Sequence, residues 1–589
     1  MKTKYIIYLL PFAFYLLPYI GFSQSFQWIK RGGSNENPGN ESETVYSIAT
    51  DSEKNYYVIS KVGMSDLDVD GNLKNNFDNP GFGPQDTMLA SFACNGTYRW
   101  SKVFGGGGGE VINSVVVDSQ DNIYVGGSMS SCDPYPGTPS EPYPSRIDSD
   151  YFFSNTNSAC TKIFFIKFTK NGVLQYVKRP QPPVSIFSGA TSNTSSVSFQ
   201  IQNDVIYWYL WLPPGTYADG AFTNTNTDPY TPYVLQYNLD GTFISATQLG
   251  TFQNSGSRPY IKYYRNPNNG FHYATIRKGD SSSTFAINGQ PVVNSVALVC
   301  YDNNGTFLWK TENTSTAIGG VSLNDLSFDG QNNIFIAGSV TGLNMSSFLG
   351  LSHPLYGTGF LMKTNPTATN AIWTSTPSNT TSGRVSPRAI YNNGTEIAIT
   401  ASAGSGPTLT WSSQTTTVAG SNQGTDVLLA RFNSATGACI SLNKITSSTP
   451  SSDFGAAITK DASGDYIVGG GFGGALYNVN NVATWNEGGD TDFFIAKFAT
   501  QPCQPLSSES FEETNIAIYP NPVQNIFTVP VKENTKYQLY TITGVLVIEG
   551  SVTTAENTIS ISELSSGCYV LKLQSESNKI ETVKVIKEY

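Results

Sequence analysis

One pattern recurs along most of this 589-residue chain and limits what it can fold into. A short apolar strand leads into Asn-Gly or Asp-Gly, and a second strand follows. Residues 87–92 precede Asn95-Gly96 and then 98–102, and residues 164–168 precede Asn171-Gly172 and then 174–178. Further copies run 233–237, Asp240-Gly241, Phe243-Ile244, and 296–300, Asn304-Gly305, 307–310. Looser copies span 359–373 and 427–442. Both central residues of a two-residue hairpin need φ > 0, which Asn, Asp and Gly tolerate, so each pair predicts a hairpin.

A second element follows each hairpin: an acidic turn, then a very apolar strand. The turns at 51–55, 118–122, 329–333 and 461–465 precede strands at 56–60, 123–127, 334–338 and 466–470. Weaker counterparts lie near 205–210, 271–276 and 396–400. Gly126-Gly127 and Gly469-Gly470 end two of these strands. Small residues there suit a crowded centre where neighbouring sheets converge. The acidic residues read as turn formers, because Asp side chains bond their own backbone.

The ends of the repeat region are offset. Residues 26–30 match the second strand of a hairpin, and the missing first strand stands at 492–498. Pairing of the two would complete one sheet from both ends and close a ring, hiding sheet edges that template aggregation. The expectation is an all-β chain: about seven repeats forming a seven-bladed β-propeller over residues 25–500, followed by a small C-terminal β-sandwich. An open solenoid or a row of sandwiches is the alternative. Composition agrees with an all-β reading. Charged residues are 13%, about half the usual share, while aromatics are also 13%. The motif Phe-Ile-x-Lys-Phe, Asn-Gly, x-x-Trp, acidic turn, Tyr-Val-x-Gly resembles the bacterial propeller-repeat (SBBP-like) family over about residues 26–499. That resemblance implies a fold and little chemistry.

Both ends of the chain carry targeting features. Lys2 and Lys4 precede an apolar, aromatic run from Tyr5 to Phe22, and a polar chain begins near Gln24. Residues 1–24 read as a secretory signal peptide, with a membrane anchor as the alternative. Near the other end, residues 501–514 have linker composition. Short alternating strands then fill 515–589, about seven in all, with turns at Thr543-Gly544 and Ser566-Gly567. This segment resembles the type A sorting domain of the type IX secretion system of Bacteroidota. The resemblance rests on Tyr519, Pro520, Asn521, Pro522, Gly544, Gly567, Tyr569 and Lys584, in order along the segment. It implies a type IX translocon and a sortase-like peptidase as partners, cleavage in or near residues 500–515, and often attachment to an anionic lipopolysaccharide. It also implies a secreted or outer-surface destination reached through the periplasm.

Catalytic signals are sparse. The chain has two histidines, His272 and His353, and neither sits in a motif for a base or a ligand. No Gly-x-Ser-x-Gly elbow occurs, and no P-loop Lys-Ser/Thr follows Gly105–Gly109. Asp66, Asp68 and Asp70, followed by Gly71, form the one candidate metal loop, and calcium is the ion such oxygens favour. An EF-hand would place Glu at the twelfth position, where Phe77 stands. Tyr207, Trp208, Tyr209 and Trp211 could stack on sugars, but aromatics in a repeat protein more often pack in the core. Seven cysteines leave an odd thiol, and Cys132 with Cys160, flanking one insertion, form the best candidate disulfide. The net charge of −10 and the lack of a basic block argue against nucleic acid. The sequence favours an exported, non-catalytic protein that binds a glycan or protein ligand or mediates adhesion. A secreted hydrolase of polysaccharide or protein, and a structural envelope protein, are the alternatives.

Overall fold

A computed structural model describes residues 24–35, 43–63, 66–77, 86–106, 110–130, 144–153, 161–180, 198–226, 231–255, 259–340, 346–352, 358–378, 384–404, 406, 408–418, 424–448, 451–488, 491–501, 503, 518–576 and 580–588. The chain divides into two compact units, Met1–Cys503 and Gln504–Tyr589.

The larger unit is built from open, mostly antiparallel sheets, most of them meanders of strands close in sequence. One runs Val45–Thr50, Tyr56–Val62, Asp86–Phe92, Tyr98–Gly105, and continues to Arg146–Ile147 and Tyr151–Phe152. The same four-strand order recurs in Glu110–Val117, Ile123–Ser130, Thr161–Phe168 and Leu174–Lys178. It recurs again from Ser198–Gln202, from Tyr260–Arg265, from Val321–Phe328 and from Arg384–Asn392. Second and third strands are buried along nearly their whole length, as Tyr56–Val62 and Asp86–Phe92 show. Fourth strands are only half-buried. This gradient explains why the second and third strands are near-continuous apolar runs in the sequence.

The hairpins stand where the Asn-Gly and Asp-Gly pairs predict, but their turn differs. Only the glycine takes positive φ: Gly96 (85°), Gly172 (76°), Gly241 (82°) and Gly305 (78°). The Gly96 amide donates to the Ala93 carbonyl, and Ala93 donates to Thr97 across the closing pair. The register then slips by one residue between Ser91 and Phe92. This is a type I turn followed by a glycine bulge, not the two-residue mirror-image turn. The same bonds and slip recur at 169–173, 238–242 and 302–306.

The acidic turns are closed internally. Asp51 Oδ1 accepts the Asn55 amide at 2.7 Å, Asp118 the Asn122 amide at 2.8 Å, and Asp329 the Asn333 amide at 2.9 Å. Several of these carboxylates also hold a cation from the third strand of their sheet. Lys363 reaches Asp329 at 2.9 Å, and the buried Lys497 reaches Asp461 at 2.9 Å and Asp465 at 3.1 Å. Tyr56 of the neighbouring sheet donates to Asp461 at 2.8 Å. Burial pulls the Asp461 carboxyl upward, but Lys497 and Tyr56 outweigh it and hold it below its ordinary range.

Strand Ser25–Gly33 pairs with Asp492–Ala499, Phe26 opposite Phe498 and Ile29 opposite Ala496, as the offset ends predict. The pairing does not close a ring of hydrogen bonds. The free edge of Ser25–Gly33 goes on to Asp68–Val69 and then Asn72–Leu73, so this sheet, too, is open. No sheet among the described residues closes on itself. The expected seven-bladed β-propeller, and the resemblance to the propeller-repeat family with it, are therefore corrected to an all-β, mostly antiparallel array of discrete sheets. The physical reason is that turn pairs and apolar strands encode pairing between sequence neighbours and say nothing about closure.

Successive sheets are locked by an indole under a glycine. A Cβ on Gly96 would lie 2.8 Å from the Trp28 ring, one on Gly172 2.7 Å from Trp100, and one on Gly437 2.5 Å from Trp373. Each indole sits on the fourth strand of the preceding sheet. Trp28 and Trp100 also donate Nε1–H to the Cys94 and Lys170 carbonyls of the turn above them, at 3.2 and 3.1 Å. Further down each second strand, Gly126 abuts the Phe199 ring and Gly469 abuts Val45 and Ile48 of neighbouring sheets. A disulfide joins Cys94, in the first of these turns, to Cys503 at the end of the unit. The candidate pair Cys132 and Cys160 lies outside the described residues.

The smaller unit has a four-stranded sheet ordered Leu546–Val552, Thr535–Thr541, Gly567–Ser575, Ile580–Lys587, and a two-stranded sheet of Ile526–Thr528 with Thr558–Ser560. Leu539, Leu571 and Val585 from the first meet Phe527 and Ile559 from the second in one core.

Gly172→Ala should destabilise the larger unit by about 1–3 kcal/mol, because it adds left-handed strain and overpacks the Trp100 ring. Gly71→Ala, also at positive φ but with nothing within 4 Å of its Cβ, should cost only the strain. Chemical denaturation of both variants measures the difference.

Candidate functional site

Strands from different sheets of the larger unit line a cavity of about 490 Å³, within the range of small-ligand sites. Its walls come from Val45–Thr50, Tyr260–Arg265, His272–Arg277, Val321–Phe328, Arg384–Asn392 and Phe454–Lys460. Period-two alternation places its side chains. Ile261, Leu323 and Val385 turn into the core, while Tyr260, Lys262, Ser322, Asn324, Ser386 and Arg388 face the cavity.

The lining has a definite charge. Among the described residues it contains Lys262, Arg277 and Arg388 and no carboxylate, in a chain whose net charge is −10. Lys262 pairs with Asp325 at 2.7 Å. The two arginines have no ion-pair partner among the described residues. Arg277 instead lies over the Tyr260 ring at 4.6 Å, and Arg388 over Phe454 at 3.9 Å. Arg388 is open to the water of the cavity yet surrounded by protein, and that desolvation pulls its guanidinium below its ordinary value. Tyr260 is 61% exposed, so its ring remains available. Thr44 Oγ1 is buried in the wall without a hydrogen-bond partner. The arrangement can hold an anion and a hydroxyl-rich body. Among the described residues it presents no nucleophile–base pair.

None of these residues belongs to a motif, and the hairpin and acidic-turn patterns of the sequence pass them by. The signal that finds most of them is the polar alternation of the first strand in each sheet, as in Val321-Ser322-Leu323-Asn324; Arg277, at the end of the second strand His272–Arg277, carries no such signal. The aromatics that the sequence offers for sugar stacking are packed instead: Trp208 and Tyr209 are fully buried, and Arg265 covers the Tyr207 ring at 4.1 Å. His272 is buried with its Nδ1 2.9 Å from the Tyr209 hydroxyl. Burial, aided by the charge of Arg265, pulls its imidazole down to about 4, so it is neutral at pH 7. His353 lies outside the described residues.

Asp66, Asp68 and Asp70 fall beside the strand that joins the chain ends. Asp68 binds Arg31 at 2.9 Å, Asp70 binds Lys30 at 2.7 Å, and Asn35 donates to Asp66 at 3.2 Å. Cations of the protein thus engage two of the three carboxylates. Among the described residues no group of three or more His, Cys, Asp or Glu side chains is placed to hold a metal ion.

Next to them is a buried acidic pair. Glu43 accepts from the Ser34 amide at 3.0 Å, the Ser34 hydroxyl at 2.6 Å and the Gly63 amide at 2.5 Å. Asp492 accepts from the Glu487 amide at 2.9 Å. Only Gly33 fits between the two carboxyls, since a Cβ there would meet both. Burial pushes Glu43 up to about 8, and the Asp492 charge adds to it. Burial likewise pushes Asp492 up to about 7.

In the smaller unit several of the expected motif residues serve its last strand. Asn521 donates to the Lys584 carbonyl at 2.8 Å and accepts the Ile586 amide at 2.9 Å. Tyr519 bridges Thr528, and Gly544 closes a turn at φ 84°. Gly567 pairs with Lys587 and Val570 with Lys584. Tyr569 donates to the Ser565 carbonyl at 2.7 Å. Lys587, which no motif singles out, is buried and donates to the Ile561 and Ser562 carbonyls at 2.7 and 3.0 Å.

Residues 517–588 match the model of the secretion system C-terminal sorting domain. That match supports export by the type IX system and an extracytoplasmic destination. No curated protein matches the chain. Solved structures give only distant likenesses. A protein of unknown function from Dyadobacter fermentans DSM 18053 shares 11% identity, over 63% of this chain and 93% of that one, at a TM-score of 0.33. The extracellular domain of BT4673 from B. thetaiotaomicron shares 12% over 95% and 99%, at 0.18. Dihydro-heme d1 dehydrogenase NirN shares 10% over 69% and 75%, at 0.28. At such TM-scores none of them bears on fold or function.

The acidic pair sets a pH dependence. Both carboxyls titrate higher in the folded state than in the unfolded chain. Their contribution is therefore fully present below about pH 4 and is lost as pH rises through about 7 to 8. Melting temperature should fall across that window, and Glu43→Gln should flatten the fall. A melting profile from pH 5 to pH 9 checks it.

Proposed function

We propose that this protein is exported to the cell surface or medium, and that its larger unit binds a glycan or protein ligand, or mediates adhesion, without catalysing a reaction. The sorting-domain match over 517–588 carries the export half of this reading. The cavity carries the binding half, because fixed cations and aromatic faces line it and no catalytic pair does. In this reading a signal peptide at residues 1–24 delivers the chain to the periplasm. A type IX translocon then recognises the C-terminal domain, a sortase-like peptidase cuts in or near residues 500–515, and the cargo is released or joined to anionic lipopolysaccharide. The disulfide at Cys503 supports a cargo whose end is tied down before that cut.

Deleting residues 515–589 should leave the larger unit in the periplasm, and mass spectrometry of the exported form should find it ending before about residue 516. Normal appearance of the truncated chain in the medium would sink the export reading. Asn521→Ala removes both side-chain bonds to the final strand. It should cost the sorting domain about 1–3 kcal/mol and lower the exported fraction measured in cell fractions.

A further inference from the structure

The cavity's chemistry narrows its ligand, on the reading that this cavity is the binding site. We propose that it takes an acidic oligosaccharide, a short sugar chain carrying carboxylate or sulfate groups. Arg277 and Arg388 stand on strands of different sheets, His272–Arg277 and Arg384–Asn392, and neither has a carboxylate partner among the described residues. Each guanidinium rests on an aromatic ring, which holds its plane and leaves the donor edge open. A planar fork of N–H donors is the group that best matches a carboxylate or sulfate. Two such forks on separate strands suit a ligand with spaced charges better than a single small anion.

The rest of the lining selects the body that carries those charges. Ser322 and Ser386 put half-buried hydroxyls into the cavity, and Tyr260 adds an exposed ring. Hydroxyls and a flat amphipathic ring answer the two surfaces of a sugar, its hydroxyl rim and its C–H face. The surrounding chain is acidic, so cations gathered here are not a sample of its overall surface. Bulk polyanions are repelled at long range, while a short ligand that enters the cavity meets only the local positive field.

Calorimetry on the purified protein tests this with four probes of similar length: an oligogalacturonate, a sulfated galactan oligosaccharide, a neutral galactan oligosaccharide and a poly-glutamate peptide. The charged sugars should bind and the neutral sugar should not. The two charged arms show whether carboxylate or sulfate is preferred. Arg277→Gln with Arg388→Gln, both at solvent-open positions, should weaken the charged sugars about tenfold or more while the melting temperature holds. Ser322→Trp should block every cavity ligand. The inference is overturned if the neutral sugar binds equally well, if the peptide is preferred, if no sugar binds, or if the double variant binds as before. If the neutral sugar binds and Ser322→Trp abolishes it, the cavity reading stands and only the acidic class falls. If sugars bind and Ser322→Trp changes nothing, the cavity reading itself falls.

Discussion

The larger unit depends on a contact repeated between successive sheets: an indole from one sheet seated under the turn glycine of the next. At Gly96, Gly172 and Gly437 the space a Cβ needs is filled by Trp28, Trp100 and Trp373. The glycine serves two ends at once. Its positive φ completes the type I turn and bulge at Gly96 and Gly172 and a turn one residue longer at Gly437, and its missing side chain admits the indole. Trp28 and Trp100 then satisfy their ring N–H on a carbonyl of the same turn. One residue type thus ties local turn chemistry to the packing of sheet on sheet. Where the tryptophan is absent the position is filled differently: Lys178 lies under Gly241, and the Gln248 backbone under Gly305. The contact is a constraint on space, and indole is its best-filled form.

Close packing along second and third strands leaves most of the chemistry to the first strands, with Arg277 at the exposed end of a second strand as the exception. Second strands such as Tyr56–Val62 are buried from end to end. First strands are buried on one side only, so every other residue is free to be polar. That is why Lys262, Ser322, Asn324, Ser386 and Arg388 gather around one cavity although they come from three strands far apart in sequence. The same logic separates structural from functional charge. Lys497, Asp461 and Tyr56 form a closed, buried network with each group answered. Arg277 and Arg388 have aromatic support and, among the described residues, no counter-charge, and a site waiting for an anion has that character.

Local features are legible in the sequence to the extent that they depend on neighbours. Asn171-Gly172 announces a hairpin, and the hairpin is there. The turn type differs from the expected one because the pair alone does not show whether Asn shares the positive φ, and here it does not. The pairing of residues 26–30 with 492–498 is readable as half a motif at each end. The step from that pairing to a closed propeller fails, because the sheet it completes runs on to Asp68–Val69 and Asn72–Leu73 and stays open. The Cys94–Cys503 bond is invisible for the opposite reason: a separation of 409 residues leaves no spacing to read. The cavity escapes a reading by motif because its residues share none, only an alternation that many exposed strands also show.

The sorting domain shows why its own motif is the most readable part of the chain. Several of its landmarks converge on the last strand, while Tyr519 pairs with Thr528 and Gly544 closes the Thr541 turn. Asn521 clamps Lys584 and Ile586 by backbone-directed bonds, Val523 exchanges backbone bonds with Ile586 and Glu588, and Lys587 drives its ammonium into the Ile561 and Ser562 carbonyls. A terminal strand frays unless such ties hold it. Keeping this strand folded takes several such ties, and Asn521 and Gly567 are among those the motif names. The larger unit has no such demand at a single point. Its constraint is spread over many turn glycines, several of which accept a substitute beneath them, and so its sequence records pairing more faithfully than arrangement.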